Sequence, residues 1–157
     1  LRPTGKAQCP AFIFPAVRYN HHPEPDLHES RLREEGEKMP AKKYRWYEMP
    51  AEQVTDTFSR KVIVGMNEMF CWLELKQGCV VPEHAHENEQ ISHVLKGRLL
   101  FVVDGETIEI GPGESLLIHP NAPHSAEVLS DETVHDYDTF SPPRADWVDG
   151  SDDYLKK

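Results

Sequence analysis

From Tyr44 onward the apolar residues fall in short runs divided by turn residues: Lys61–Met66, Met69–Leu75, Gln90–Leu95, Arg98–Asp104, Glu106–Ile110, Ser115–His119 and Val134–Phe140. These runs are rich in Val, Ile, Leu, Phe and Trp and five to seven residues long, the size and composition of strands. Asp104-Gly105 between two of them predicts a hairpin, because both central positions of a type I′ turn need positive φ. Gly111-Pro-Gly113 marks a second turn. No segment after residue 58 keeps a helical period over three turns, so the chain reads as all-β, a sandwich, jelly roll or barrel.

Residues 1–43 break this pattern. Six of the thirteen prolines lie in the first 40 residues, beside the charge run Glu29-Ser-Arg-Leu-Arg-Glu-Glu-Gly-Glu-Lys38. Such a stretch buries little apolar surface and predicts an arm over 1–43, ahead of a β domain over 44–157. Its one apolar patch, Ala11-Phe-Ile-Phe-Pro-Ala-Val17, is expected to dock on the β domain or on a second copy of the chain, which makes a homodimer the expected assembly. His21, His22 and His28 in the arm read as solvated.

The 157 residues suffice for one hydrophobic core, and a net charge of −10 disfavours nucleic acid and anionic membrane as partners. That charge also repels a small anionic substrate unless a local cation overrides it. Cys9, Cys71 and Cys79 have no zinc-type spacing, and Cys71, in phase with Met69, Leu73 and Leu75, reads as a core residue. No apolar run reaches the roughly 20 residues that span a bilayer. The chain begins at Leu1 rather than at methionine. This fits a truncation or a cleaved signal peptide and leaves localisation open, with the cytoplasm favoured.

The candidate chemistry lies in two segments. In a strand, His84 and His86 of His84-Ala-His86 would share a face and could reach one ion. Gln90 has the same parity, whereas Glu89 and His93 have the other. Gly78, five residues, His84-x-His86, three residues, Gln90, six residues and Gly97 resemble the first motif of the cupin family, with Gln in place of the usual Glu. Gly113, Pro120, Asn121 and His124 are similar to the second, with Asn121 at a glycine position that Asn tolerates. The resemblance covers roughly residues 60–145. It implies a single cupin jelly-roll barrel, a double-stranded β-helix, with an irregular N-terminal extension. It also implies one divalent transition metal held by His84, His86, Gln90 and His124. Glu89 swinging in, with Gln90 behind it, is the alternative ligand set. Such N and O donors suit Zn²⁺, Ni²⁺, Mn²⁺ or Fe²⁺. A neutral Gln leaves the site at +2 where a Glu would make it +1, which favours anionic ligands.

The last strand run leads into Asp136-Tyr-Asp138-Thr-Phe140-Ser-Pro-Pro-Arg144. Asp136, Asp138 and Phe140 share one face, and Pro142-Pro143 ends the strand and fixes the approach to Arg144. This D-x-F-x3-R ending resembles the cupins that linearise 4,5-unsaturated monouronates in pectin and alginate breakdown. The resemblance implies catalytic roles for Asp138 as a proton-transfer group, Phe140 as a stacking floor and Arg144 as a carboxylate clamp. A structural role for the same three residues fits the sequence equally well. Three functions are therefore expected in order: a metal-dependent non-redox lyase, isomerase or ring-opening enzyme acting on a small carboxylated sugar; an Fe²⁺ dioxygenase; and a non-catalytic module that captures a small ligand. Trp46, Trp72 and Leu99–Val103 read as core, and His93 and His119 as lying off the site.

Overall fold

Alternation of apolar and polar residues sets the architecture of the computed structural model, which describes residues 41–156. Among these residues ten strands form: β1 (Glu52–Gln53), β2 (Phe58–Val64), β3 (Met69–Leu75), β4 (Val80–His84), β5 (Glu89–Lys96), β6 (Leu99–Val103), β7 (Glu106–Ile110), β8 (Ser115–Ile118), β9 (His124–Val128) and β10 (Val134–Ser141). They build a six-stranded sheet ordered β1-β2-β3-β10-β5-β8 and a four-stranded sheet ordered β4-β9-β6-β7. The strands pair antiparallel throughout both sheets. This is the all-β jelly roll the sequence predicts, and its two sheets bury their inner faces on one another. A short helix, α1 (Ala145–Asp149), and a 3-10 turn (Asp153–Lys156) follow β10. No helix among the described residues is long and apolar enough to cross a membrane.

The seven expected strand runs all become strands, and β3 and β7 keep the expected bounds. In β3 every second residue, from Met69 to Leu75, is buried, and β10 repeats the pattern from Val134 to Phe140. Cys71 is a buried free thiol in the core, as its phase predicts. The hairpin turn adopts φ 49° at Asp104 and φ 82° at Gly105, both positive as type I′ requires. Gly97, at φ 78°, tolerates no side chain: a Cβ there would sit 2.7 Å from Val134 Cγ2 and 2.8 Å from Ser130 Oγ. That fixes the β5–β6 turn beneath the start of β10.

Trp46 and Trp72 depart from the core expectation. Both are half-buried and pack with Phe70 and Tyr137, at centroid distances of 4.9–6.3 Å, outside the barrel. The cause is parity: Phe70 and Trp72 alternate with the buried Met69, Cys71 and Leu73 of β3, so they face out. Leu99 and Phe101 are core residues, as expected. The Ala11–Val17 patch, Cys9 and the three arm histidines lie outside the described residues.

Candidate metal centre

Three histidines meet where β4 and β9 face each other. His84 and His124 are direct cross-strand partners, and their rings lie 4.2 Å apart between centroids. His86 is not in the strand, as the H-x-H reading supposes; β4 ends at His84, and His86 stands in the loop that follows. It still joins the group, with its ring 5.0 Å from that of His124. One ring nitrogen from each histidine lies within 4.8 Å of the others.

The hydrogen bonds fix which nitrogen points where. Nδ1 of His84 lies 2.9 Å from Pro82 O, Nδ1 of His86 lies 2.9 Å from Asn88 O, and Nδ1 of His124 lies 2.8 Å from Ala122 O. A carbonyl only accepts, so each Nδ1 carries the proton and each Nε2 presents a lone pair. His124 Nε2 is buried with no hydrogen-bond partner. His86 Nε2 faces Gln90 Oε1 at 3.2 Å, while Gln90 Nε2 donates to Asp138 Oδ2 at 3.1 Å. Two lone pairs thus converge on one point beside an orphaned imidazole nitrogen, and a cation satisfies all of them at once. The residues fit a transition metal, and the three-histidine group can hold one.

Electrostatics keep these rings ready to ligate. Burial and the neighbouring His124 hold His84 down to about 3, and burial with the Arg144 charge holds His86 down to about 4. His124 is lowered too, chiefly by burial. All three are therefore neutral at pH 7, the form a metal requires.

The opposite wall comes from β5 and β10. Asp138 pairs with Ser92 across the ladder and Phe140 with Gln90. The side chains bond on the diagonal: Gln90 to Asp138, and Ser92 Oγ to Asp136 Oδ2 at 2.5 Å. Asp136 and Asp138 are both buried, and the Oδ1 of each lacks a hydrogen-bond partner of normal geometry. Burial, then the charge of Asp136, pushes Asp138 well above the usual carboxylate range. One proton shared by the two carboxyls accounts for both orphaned oxygens.

Of the residues expected at the site, His84, Gln90, His124, Asp138, Phe140 and Arg144 all line one cavity. The ring of Phe140 lies 5.6 Å from that of His86. Glu89 lies beside the exposed His119, 3.9 Å from its Nδ1. Arg144 is buried, but its Nε and Nη2 donate to Asp146 at 2.9 and 2.5 Å, and Nη2 also reaches Tyr154 Oη at 2.8 Å. Asn121 adopts φ 64° and donates its backbone N–H to His86 O at 2.7 Å, which ties the two motifs together.

Several residues at the site escape a reading of the sequence. Asn88 donates Nδ2 to Pro142 O at 2.7 Å, joining the His86 loop to the turn before Arg144. Trp147, Tyr154 and Leu155 line the cavity from the C-terminal segment. Only the spacing of Asn88 between two ligand positions hints at its role; the C-terminal segment carries no periodic signal.

Residues 71–140 match the family model described as a cupin domain. Over that stretch the two-sheet architecture is that of the cupin fold. Among solved structures it is similar to KdgF from a Halomonas species, at 24% identity over 69% of this chain and 99% of that one, with a TM-score of 0.64. It is also similar to an RmlC-like cupin from Shewanella frigidimarina, at 25% identity over 66% and 93% of the two chains, with a TM-score of 0.62. A third likeness is the polyketide cyclase RemF from Streptomyces resistomycificus, at 22% identity over 68% and 82%, with a TM-score of 0.60.

Proposed function

We propose that this cupin is a metal-dependent, non-redox lyase or isomerase that opens the ring of a small carboxylated sugar such as a 4,5-unsaturated uronate. The observation that carries the reading is that Asp138, Phe140 and Arg144 line the same cavity as His84, Gln90 and His124. In this reading His84, His86 and His124 bind through Nε2 and Gln90 through Oε1. A bound Zn²⁺, Ni²⁺, Mn²⁺ or Fe²⁺ supplies Lewis-acid polarisation of a sugar oxygen, with positions left open beyond the four protein ligands. Gln90 is held oxygen-inward by its own donation to Asp138.

The chain's own groups supply the rest. Opening a 4,5-unsaturated hemiacetal breaks C1–O5, moves the anomeric hydroxyl proton to O5 and then places a proton on C4 as the enol becomes a ketone. Atoms balance without water or oxidant. Asp138 holds a proton in a buried carboxyl pair and exchanges it with the sugar, Ser92 steadies Asp136, and Phe140 offers its ring to the sugar face. Arg144 carries the positive charge that draws in the carboxylate against a net charge of −10.

The test is turnover of a 4,5-unsaturated galacturonate by the metal-loaded protein, followed by loss of the ultraviolet absorbance of its conjugated double bond. Faster decay than in buffer without oxygen uptake is the expected result. Oxygen uptake would turn the assignment to a dioxygenase, and binding without turnover to a capture module.

A further inference from the structure

The C-terminal segment that closes the cavity is fastened by a charge pair that nothing at the metal centre requires. Asp152 is fully buried (0% exposed) and its Oδ2 lies 2.6 Å from Nη1 of Arg60, which is itself 1% exposed on the inner face of β2. Arg60 also donates Nε and Nη2 to Glu52 at 2.8 and 3.0 Å, and its guanidinium lies 4.3 Å from the ring centre of Trp147. Leu155 is buried in the core, and its N–H donates to Asp152 O at 3.1 Å. Such a pair carries a desolvation cost, and removing one partner would leave an uncompensated buried charge.

The pair anchors the segment that carries Tyr154. Between Asp152 and Leu155, the Tyr154 ring stacks on the His84 imidazole at 4.6 Å and 27°. Its hydroxyl accepts from Arg144 Nη2 at 2.8 Å. Asp146 already occupies the Nε and Nη2 of Arg144, so that edge of the guanidinium is not open to an incoming carboxylate. The Tyr154 proton, by contrast, remains for an acceptor, and a phenol that accepts from a guanidinium is the stronger donor.

The geometry points to Tyr154 as a specificity residue that donates its hydroxyl hydrogen to the carboxylate of a ligand in this cavity, alongside Arg144, with Asp152 and Arg60 as positioning residues acting through it. This rests on the proposed function only in taking the ligand to be a carboxylate.

The experiment uses the full-length chain loaded with Co²⁺, titrated by calorimetry and by the visible cobalt bands. The probes are acetate and D-galacturonate, with D-galactose as the neutral control. Tyr154→Phe keeps the ring on His84, so cobalt content is unchanged while acetate and galacturonate both weaken about 10- to 100-fold, the range for a lost hydrogen bond to a charged group. Asp152→Asn leaves Arg60 paired with Glu52 and weakens the same probes. The double variant is no worse than Tyr154→Phe alone if Asp152 acts through Tyr154. Wild-type acetate affinity in Tyr154→Phe overturns the inference, as does a native chain that binds neither carboxylate. Additive losses in the double variant overturn the positioning role. A native chain that binds acetate but not galacturonate, with acetate weakened by Tyr154→Phe, supports Tyr154 and removes the uronate reading.

Discussion

The two walls of the barrel are built from the same alternation and end with opposite chemistry. The four-stranded wall turns Val81, Leu99, Phe101, Ile110, Ala126 and Val128 inward, and its inward polar groups at the cavity are His84 and His124 at one end. The six-stranded wall buries Arg60, Gln90, Ser92, Asp136 and Asp138 among Phe58, Met69, Leu73 and Phe140. Both walls tolerate this because the polar groups answer one another. On the six-stranded wall they bond along diagonals between β5 and β10. On the four-stranded wall they turn Nε2 inward and keep Nδ1 on backbone carbonyls. One wall therefore holds imidazole lone pairs and the other an amide oxygen and a carboxyl proton, and the cavity lies where they meet.

Removing a lone pair from the four-stranded wall has the largest expected effect. His124→Ala deletes a buried imidazole nitrogen that has no hydrogen-bond partner and that the proposed site uses as a ligand. Loss of a group that only orients a ligand costs about 10- to 100-fold in metal affinity, so loss of the ligand itself should exceed that. Metal analysis after dialysis and a nickel titration check it; native affinity would mean that the ion sits elsewhere. On the six-stranded wall, Asp138→Asn keeps the shape and can still accept from Gln90, but holds no exchangeable acid proton. Turnover should fall about 10²- to 10⁴-fold with metal content unchanged. The same variant should melt at a higher temperature at pH 7. A carboxyl whose folded pKa is raised stabilises the fold below its unfolded value and loses that contribution as pH rises through the folded one.

The walls also respond to acid with opposite signs. His84 and His86, held down to about 3 and about 4 in the fold, cost stability as pH falls from about 6.5, because the unfolded chain takes up protons that the folded chain refuses. The Asp138 carboxyl works the other way over that window, since the fold already holds its proton. The histidines outnumber it, so the metal-free protein should be less stable toward urea at pH 5 than at pH 7, and less steeply so with His84→Ala. The metal-loaded protein should keep its ion until about pH 4, because protons do not compete for these rings sooner. Release near pH 6.5 would show ordinary, solvated histidines.

How much of this was legible follows from the same contrast. The apolar wall and β3, β7 and β10 announce themselves through alternation. β4 and β9 do not: Pro82 interrupts one beside a register shift, and His124-Ser-Ala-Glu-Val128 has too few apolar residues to read as a strand. Those are the strands that carry His84 and His124, which the motif spacing singles out where the periodicity is silent. The residues of β10 were legible in parity and in their shared cavity. The pairing of Arg144 with Asp146 and Tyr154 was not, because a helix of five residues and a 3-10 turn leave no periodic trace. The arm over 1–43 and the homodimer remain proposals. Light scattering at micromolar concentration should report about twice the chain mass, and a clean monomer would retire the dimer.

The smallest expected effect comes from changing charge without changing reach, at the residue that joins the two walls. Gln90→Glu leaves an oxygen beside His86 and lets a protonated Asp138 donate where Gln90 had donated. With three neutral imidazoles, the loaded site falls from +2 to +1. A carboxylate is the better donor to a divalent cation, so metal should bind at least as tightly. An anionic ligand in the partly buried cavity loses attraction on a scale of roughly 1–3 kcal/mol, about 5- to 150-fold in affinity. A neutral sugar loses none. Titration of the loaded variant with D-galacturonate and D-galactose reads the difference directly. Equal shifts for both sugars would mean that the substitution acts by shape, and no shift for galacturonate would mean that the charge of the metal site does not serve an anionic ligand.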